Sequence, residues 1–172
     1  MIMIKPISLA QQQQVTERTA DVLRQAGEIY QRQFSSVAVA FDLKGKAAGM
    51  YCVRGRKRWI RYNPFIFAKY FTDNLETTVP HEVAHYVIDL LYGQSNVRPH
   101  GKEWSSLMLS LGVEPERTCE YDLDGIPVRV YRLFDYVCDC SRHQLSSRRH
   151  NRVERGQMQY FCKLCRQQLV PA

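Results

Sequence analysis

Apolar residues in the first part of the chain recur at the spacing of an α-helix. Between residues 9 and 30 they repeat about every 3.6 positions, which places them on one face. Ser8, followed three positions later by Gln11, resembles a capping box, a pattern that marks the start of a helix. The segment therefore predicts an amphipathic helix, and its glutamine run belongs to the exposed face.

Three short β-prone segments follow, each bounded by glycine or by charged residues. They cover residues 37–43, 47–53 and 57–62. Short segments of this composition with tight connections are typical of neighbouring strands. We therefore expect a small antiparallel sheet that ends at Asn63 and Pro64.

Helical patterns return after the predicted sheet. We expect a short helix over residues 65–71, a longer one from residue 73 or 74 to about 92, and a third over 102–111. Pro80 lies inside the longer helix, so a kink is predicted immediately before residue 81. The first part of the chain is thus predicted to be α+β, with a helix, a small sheet and then helices.

The composition excludes several classes of protein. Of the 172 residues, 45% are apolar and 24% are charged, which is ordinary for a folded globular chain. No apolar run approaches the ~20 residues that cross a bilayer, and no secretory signal is recognised at the N-terminus. We therefore expect a cytoplasmic protein that has no membrane partner.

Positive charge is concentrated near the C-terminus. The net charge is +7, of which residues 129–172 supply +6 from 9 basic and 3 acidic side chains. Such asymmetry favours a polyanionic partner for the basic part, although a solvated basic surface is the common alternative. The sign of the charge changes after Asp124, and we place a domain junction there. The predicted domains are residues 1–124 and 125–172.

The longest predicted helix contains the sequence His81-Glu82-Val83-Ala84-His85. Histidines four positions apart lie on one helical face, so both imidazoles can bind one metal ion. Glu82 projects close to that face, where a carboxylate can act as general base towards a metal-bound water. A catalytic zinc normally has three protein ligands, and we expect His100, which follows a loop before the next helix, to be the third.

Several segments of the chain, taken together, resemble the SprT family of zinc metalloprotease-like proteins, which includes the eukaryotic DNA-repair protease Spartan. The resemblance extends over residues 41–45, 47–49, 60–64, 79–85, 99–104 and 148–152 and the cysteine-rich tail. It implies a zincin-like minimal metalloprotease domain in which Glu82 is catalytic and His81, His85 and His100 bind zinc. It also implies substrates that are proteins attached to DNA or crowded on it.

A second metal site is predicted in the tail from its clustered cysteines. Cys162 and Cys165 have the spacing of a zinc knuckle. The other half of the site is ambiguous, because Cys138, Cys140 and His143 compete for two places. We favour Cys140, His143, Cys162 and Cys165, with Cys138 as the second choice. Four protein ligands make a closed, structural zinc site, and the tail is predicted to be a zinc ribbon.

A basic segment lies between the two halves of the predicted ribbon. Residues 146–155 are expected to form a hairpin whose turn presents the arginines, namely Arg148, Arg149, Arg152 and Arg155. Arginine side chains suit phosphate groups. Tyr160 or Phe161 could stack on bases, or could equally form the core of the ribbon. We therefore expect DNA or another nucleic acid as a partner.

The leading hypothesis is an intracellular zinc endopeptidase with one catalytic and one structural zinc ion. Glu82 would accept a proton from water and pass it to the leaving amine. Tyr86 is a candidate oxyanion donor only because it is close in sequence. The alternative is a non-enzymatic, zinc-binding regulatory protein associated with nucleic acid. Glu82 favours the enzyme, because a purely structural metal site has no use for a base.

Overall fold

A computed structural model describes residues 3–116, 121–127 and 132–172 of the chain. The chain divides into two compact units, residues 1–128 and 129–172. The sequence-based junction after residue 124 lies inside the first unit, where the Gly125 carbonyl accepts a hydrogen bond from the Ile4 N–H at 2.9 Å. No helix in the described residues has the length and apolar character needed to cross a membrane.

The first helix, α1, spans Leu9–Ile29 and confirms the predicted capping box. The Ser8 side chain accepts a hydrogen bond from the Gln11 backbone N–H at 3.3 Å, and the Gln11 side chain accepts one from the Ser8 N–H at 3.0 Å. The two bonds satisfy backbone donors that the first helical turn leaves unpaired. The apolar face of α1, which includes Val15 and Val22, is buried against the helix that contains the histidine pair.

The sheet of the first unit contains β1 (Ala38–Ala40), β2 (Gly49–Arg54) and β3 (Lys57–Tyr62) in the order β1-β3-β2. Strands β2 and β3 form the predicted antiparallel hairpin, with Gly55 at φ +60° at the first central position of the turn. The expectation of a wholly antiparallel sheet is wrong, because β1 pairs with β3 in parallel. Residues 41–48 cross from one edge of β3 to the other, so β1 and β2 do not form a hairpin.

Within its described residues, the first unit has four further helices: α2 (Pro64–Lys69), α3 (Phe71–Glu76), α4 (Thr78–Tyr92) and α5 (Lys102–Ser110). The single long helix expected over residues 73–92 is instead divided at Thr77. Pro80 is the third residue of α4, where its missing N–H breaks no intrahelical bond. The proline ring would clash with the carbonyl of Glu76, and the interruption at Thr77 therefore replaces the predicted kink.

Helix α4 lies at the centre of the first unit and is buried on most sides. It packs against α1, α3, α5 and β2, and Val79, Val83 and Val87 have no exposed surface. Trp104 and Leu107 of α5 belong to the same core. A helix held on so many sides provides a rigid base for the histidine pair.

The second unit contains β4 (Leu133–Val137), β5 (Arg142–Ser146), α6 (Ser147–Glu154) and β6 (Val170–Pro171), with strand order β5-β4-β6. The hairpin expected over residues 146–155 is wrong, since helix α6 occupies this segment. The segment contains no glycine for a tight turn, and arginine favours helices. The core of the unit is small and consists of Tyr136, Leu145, Cys162 and Leu169.

Candidate metal centres

The first centre is formed by three histidines from two parts of the fold. His81 and His85 lie one turn apart on α4, and His100 lies just before α5 with φ +55°. The Nε2 atoms are 3.2 Å apart for His81 and His85, 3.0 Å for His85 and His100, and 3.0 Å for His81 and His100. The structure thus brings the three predicted ligand atoms into one small triangle.

The triangle fits a single zinc ion. Three nitrogens at zinc-binding distance and tetrahedral angles lie ~3.3 Å apart, close to the separations of these Nε2 atoms. Burial, together with the charge of the neighbouring histidines, lowers the pKa of His81 to about 4 and the pKa of His85 to about 3. Both side chains are therefore neutral near pH 7, which is the form of imidazole that binds metals.

Glu82 lies beside the triangle and against strand β2. Only 6% of its surface is exposed, and burial raises its pKa to about 8, although a hydrogen bond from the Tyr51 backbone opposes the shift. A carboxyl group with such a pKa can both accept and release a proton near neutral pH. Glu82 is therefore a buried carboxyl group that can exchange a proton near neutral pH.

Gly49 allows this close approach of Glu82 to β2. A Cβ atom at position 49 would lie 2.6 Å from Glu82 Cγ, 2.7 Å from Glu82 Oε1 and 2.8 Å from Thr78 Cγ2. Contacts this short do not occur between such atoms, so either the glutamate or the strand would have to move. The backbone of β2 and the glutamate are therefore fitted to each other.

On the sequence-based hypothesis of a zinc endopeptidase, we predict that Gly49→Ala lowers hydrolytic activity by on the order of 10²-fold, because the added methyl displaces the Glu82 carboxylate. Overpacking should also destabilise the fold by about 1–3 kcal/mol. Activity against an unfolded protein and the thermal midpoint measure the two effects. Metal bound by the three histidines should be retained, and an alanine variant with unchanged activity would show that the position of Glu82 is not critical.

Trp104, a residue of α5, contacts all three histidines. Its ring centre lies 4.8 Å from that of His81, 5.7 Å from that of His85 and 4.7 Å from that of His100. The indole N–H donates a hydrogen bond to the His81 carbonyl at 3.3 Å, and the residue is 1% exposed. The indole thus restricts the imidazole orientations by packing against the three rings, and its hydrogen bond holds it to the backbone of α4.

Asp89 connects α4 to the sheet one turn beyond His85. Its Oδ2 atom accepts hydrogen bonds from the Tyr51 hydroxyl and from Arg58 Nε, both at 2.6 Å. Burial alone would raise the pKa of Asp89, but its bonds to Arg58 and Tyr51 outweigh this effect and lower the pKa. The Asp89 carboxylate thus links α4 to β2 and β3. These hydrogen bonds fix the distance between α4 and β2, where the Glu82 side chain lies.

The histidines and Glu82 line a cavity of about 890 Å³, which is also bordered by residues 46–51 of the β2 region. Tyr86, the candidate oxyanion donor, does not line this cavity. It is 4% exposed, and its hydroxyl donates to the Ser35 carbonyl at 3.0 Å. The tyrosines that do line the cavity are Tyr51 and Tyr121, and the sequence pattern had singled out neither.

The second centre is a cluster of four cysteines in the second unit. The sulfur atoms of Cys138, Cys140, Cys162 and Cys165 all lie within 4.8 Å of one another. The Cys138–Cys140 and Cys140–Cys162 separations are 3.5 and 3.6 Å. Four sulfurs around one zinc at tetrahedral angles are about 3.8 Å apart, so the cluster fits a closed site.

His143, our first choice of ligand, lies beside this cluster. Its Nε2 atom is 3.2 Å from Cys138 Sγ and 3.0 Å from Ser141 Oγ. The structure groups Cys138, our second choice, with the other three cysteines instead. The four sulfurs form one cluster that does not include His143, although His143 interacts with both Cys138 and Cys162 at its edge.

The environment of Cys162 favours its thiolate form. Backbone N–H groups of Cys165 and Leu164 lower its pKa to about 7, and the Leu164 N–H lies 3.4 Å from the sulfur. Zinc is bound by thiolates and not by thiols. Cys162 is therefore the thiol of the knuckle that is most readily deprotonated to bind a metal ion.

The four arginines predicted to contact nucleic acid all lie on or next to α6. Arg148, Arg149 and Arg152 are within the helix and Arg155 directly follows it, and all four are exposed. Tyr160 is partly buried against the small core, whereas Phe161 is 56% exposed. Of these two aromatics, Phe161 is the one whose ring is accessible.

The first unit thus has a three-histidine centre with a buried glutamate beside it, and the second unit has a four-cysteine centre. This combination defines a class of metal-binding proteins with a histidine site and a zinc ribbon. Family models match both parts: the SprT-like family over residues 19–132, and the SprT-like zinc ribbon domain over residues 134–172. The chain belongs to the SprT-like family, which is associated with metallopeptidase-like domains, and its ribbon and cysteine cluster indicate zinc binding.

Relatives match nearly the whole chain. The Protein SprT of Shewanella oneidensis is 33% identical over 162 residues, which are 94% of this chain and 99% of the relative. The Protein SprT of Escherichia coli O157:H7 is 36% identical over 165 residues, or 95% and 96% of the two chains. That of Vibrio parahaemolyticus is 36% identical over 150 residues, or 87% of each. No solved structure matches the chain.

Proposed function

We propose that the chain is a zinc-dependent endopeptidase with a zincin-like catalytic domain and a zinc ribbon that binds nucleic acid. A single observation supports the peptidase activity most strongly. The buried carboxylate of Glu82 follows His81 on the same helix and lines the same cavity as the three converging imidazoles. A site that served only to hold a metal would not need a buried, proton-exchanging carboxyl group next to its open side.

His81, His85 and His100 would hold the catalytic zinc. When bound, zinc lowers the pKa of a ligated water and polarises a carbonyl oxygen. Glu82 accepts the proton of the attacking water and delivers it to the amine that leaves the peptide. The raised pKa of Glu82, about 8, suits a group that must take up a proton and then release it.

One edge of strand β2 borders the cavity and could bind a peptide. Strand β2 has a single partner, β3, among the strands of the described residues, and residues 49–51 line the cavity beside Glu82. Extended peptides bind such strand edges through backbone hydrogen bonds, largely independently of sequence. A peptide laid along β2 would place a carbonyl close to the histidine centre.

The ribbon would have two roles in this proposal. The zinc held by Cys138, Cys140, Cys162 and Cys165 stabilises a unit whose buried core is too small to fold alone. The charge of +6 on residues 129–172 would hold the protein on nucleic acid. Proteins associated with DNA would then be the substrates, because tethering raises their local concentration.

The proposal predicts two zinc ions per chain, because each centre fits one ion. His81→Ala should remove one ion, leave the ribbon ion in place and abolish cleavage of an unfolded protein. Metal content can be measured by elemental analysis of reconstituted protein, with Gln14→Ala, on the exposed face of α1, as a control outside both centres. A single zinc in the wild-type protein contradicts the two-centre arrangement.

A further inference from the structure

Helix α6 is attached to the second unit by one face. The His150 ring stacks on Phe134 with centres 3.6 Å apart and an angle of 8° between the planes. His150 Nδ1 lies 3.0 Å from the Tyr136 hydroxyl, and Val153 packs against the core. Residues 150 and 153, one turn apart, therefore define the inward face of α6.

The opposite face of α6 contains three of the four arginines. Successive residues of an α-helix are rotated by about 100° around its axis. By this rotation, Arg148, Arg152 and Arg155 lie within about 60° of one another around the axis of α6, on the side opposite the inward face. All three are exposed. We call these three residues the arginine stripe. Arg149 lies outside it, and its guanidinium is 5.6 Å from the centre of the Tyr160 ring.

Repulsion within the arginine stripe is not offset by carboxylates of the described residues. Like charges three and four positions apart on a helix repel each other. The helix dipole disfavours Arg148, which lies in the first turn, and favours Arg152, which lies in the last turn. No acidic residue occupies the first turn. Across the described residues, no carboxylate forms an ion pair with any of the three side chains. A helix whose only role was solubility would mix charges of both signs.

We propose that the arginine stripe is the surface that binds the phosphate backbone of nucleic acid. This proposal rests on the nucleic-acid partner named in the proposed function. All three cations are arginines, whose planar guanidinium groups match phosphate oxygens in pairs. The stripe is about 10 Å long along α6, so neighbouring phosphates of one strand can be bound together. Contacts of this kind fix position and do not read base sequence.

The test compares two variants of the full-length protein that lose the same charge. Arg148→Gln/Arg152→Gln/Arg155→Gln removes the stripe, and Arg142→Gln/Lys163→Gln/Arg166→Gln removes three exposed cations elsewhere in the same unit. Fluorescence anisotropy with a labelled DNA duplex of mixed sequence, over a range of salt concentrations, gives the affinity and its salt dependence. The stripe variant should lose about tenfold or more in affinity, and its log–log salt slope should be shallower by about 2.7.

The control variant should lose less than about threefold in affinity, because diffuse charge is screened at moderate salt. On α6 itself, Arg152→Gln should weaken binding more than Arg149→Gln does. The stripe variant should keep its zinc and unfold at the same or a higher temperature, because glutamine removes the repulsion. Lower affinity combined with undiminished stability separates a binding surface from a structural one.

Three results would overturn the proposal, and they are distinguishable. Equal losses in the two triple variants would mean that net charge, and not the stripe, determines binding. Competition by polyglutamate as effective as competition by DNA at equal charge would mean that the stripe recognises acidic protein. A wild-type protein that does not bind DNA at all would remove the nucleic-acid partner itself, while peptide hydrolysis would remain to be judged by its own assay.

Discussion

Glu82→Gln is expected to reduce peptide hydrolysis by about 10²–10⁴-fold, the usual contribution of a general base. Glutamine has nearly the same shape as glutamate but cannot accept the proton of the attacking water. The three histidines are unchanged, so the catalytic centre should keep its metal. Hydrolysis of an unfolded protein, measured together with zinc content, tests the expectation.

The fold should tolerate this substitution well. Glu82 is buried with its pKa raised, so replacing it with a neutral amide removes a group that is costly to ionise in this position. We expect the thermal midpoint to stay the same or to rise. Glu76→Gln, the same chemical change at an exposed position of α3, is the matched control and should retain full activity.

The outcome also decides between the two functions considered from the sequence. A wild-type rate in the glutamine variant means that Glu82 is not the base. If the reconstituted wild-type protein binds both zinc ions but does not cleave unfolded or DNA-bound protein, the non-enzymatic regulatory protein is the better description.

Local patterns predicted the parts of the fold that depend on local interactions. The capping box at Ser8 and Gln11 involves residues three positions apart, and α1 begins there. The hairpin of β2 and β3 depends on one two-residue turn. The parallel pairing of β1 with β3 joins residues about twenty positions apart, as in Ala38 and Trp59, and no local pattern specifies it.

The candidate site residues also differ in whether local sequence patterns could identify them. His81, Glu82 and His85 could be identified because their spacing alone places them on one side of a helix. Trp104 and Asp89 act through neighbours distant in sequence, and an isolated tryptophan or aspartate resembles many others. The arginines of α6 were recognised by charge, but which of them point outwards depends on how His150 packs against Phe134.

Cys162→Ser is expected to unfold the second unit. The buried core of this unit consists of four residues, each contributing about 1.5–3 kcal/mol at most on burial. Binding of a structural zinc supplies about 10–16 kcal/mol in small domains of this kind. Loss of one thiolate should release the ribbon zinc and abolish hydrogen-exchange protection in residues 132–172, while α4 and the rest of the first unit remain protected.

A comparison of Cys138→Ser with His143→Gln identifies the fourth ligand. Because Cys138 belongs to the four-sulfur cluster, its serine variant should lose the ribbon zinc as Cys162→Ser does. His143 contacts the Cys138 sulfur but does not belong to the group of four clustered ligand atoms, so its glutamine variant should keep the zinc, with affinity reduced by about 10–100-fold, as is usual when a partner of a ligand is removed. Competition with a chelator measures both affinities. Loss of zinc from the His143 variant together with retention in the Cys138 variant would reverse the assignment and restore the ligand set of three cysteines and one histidine.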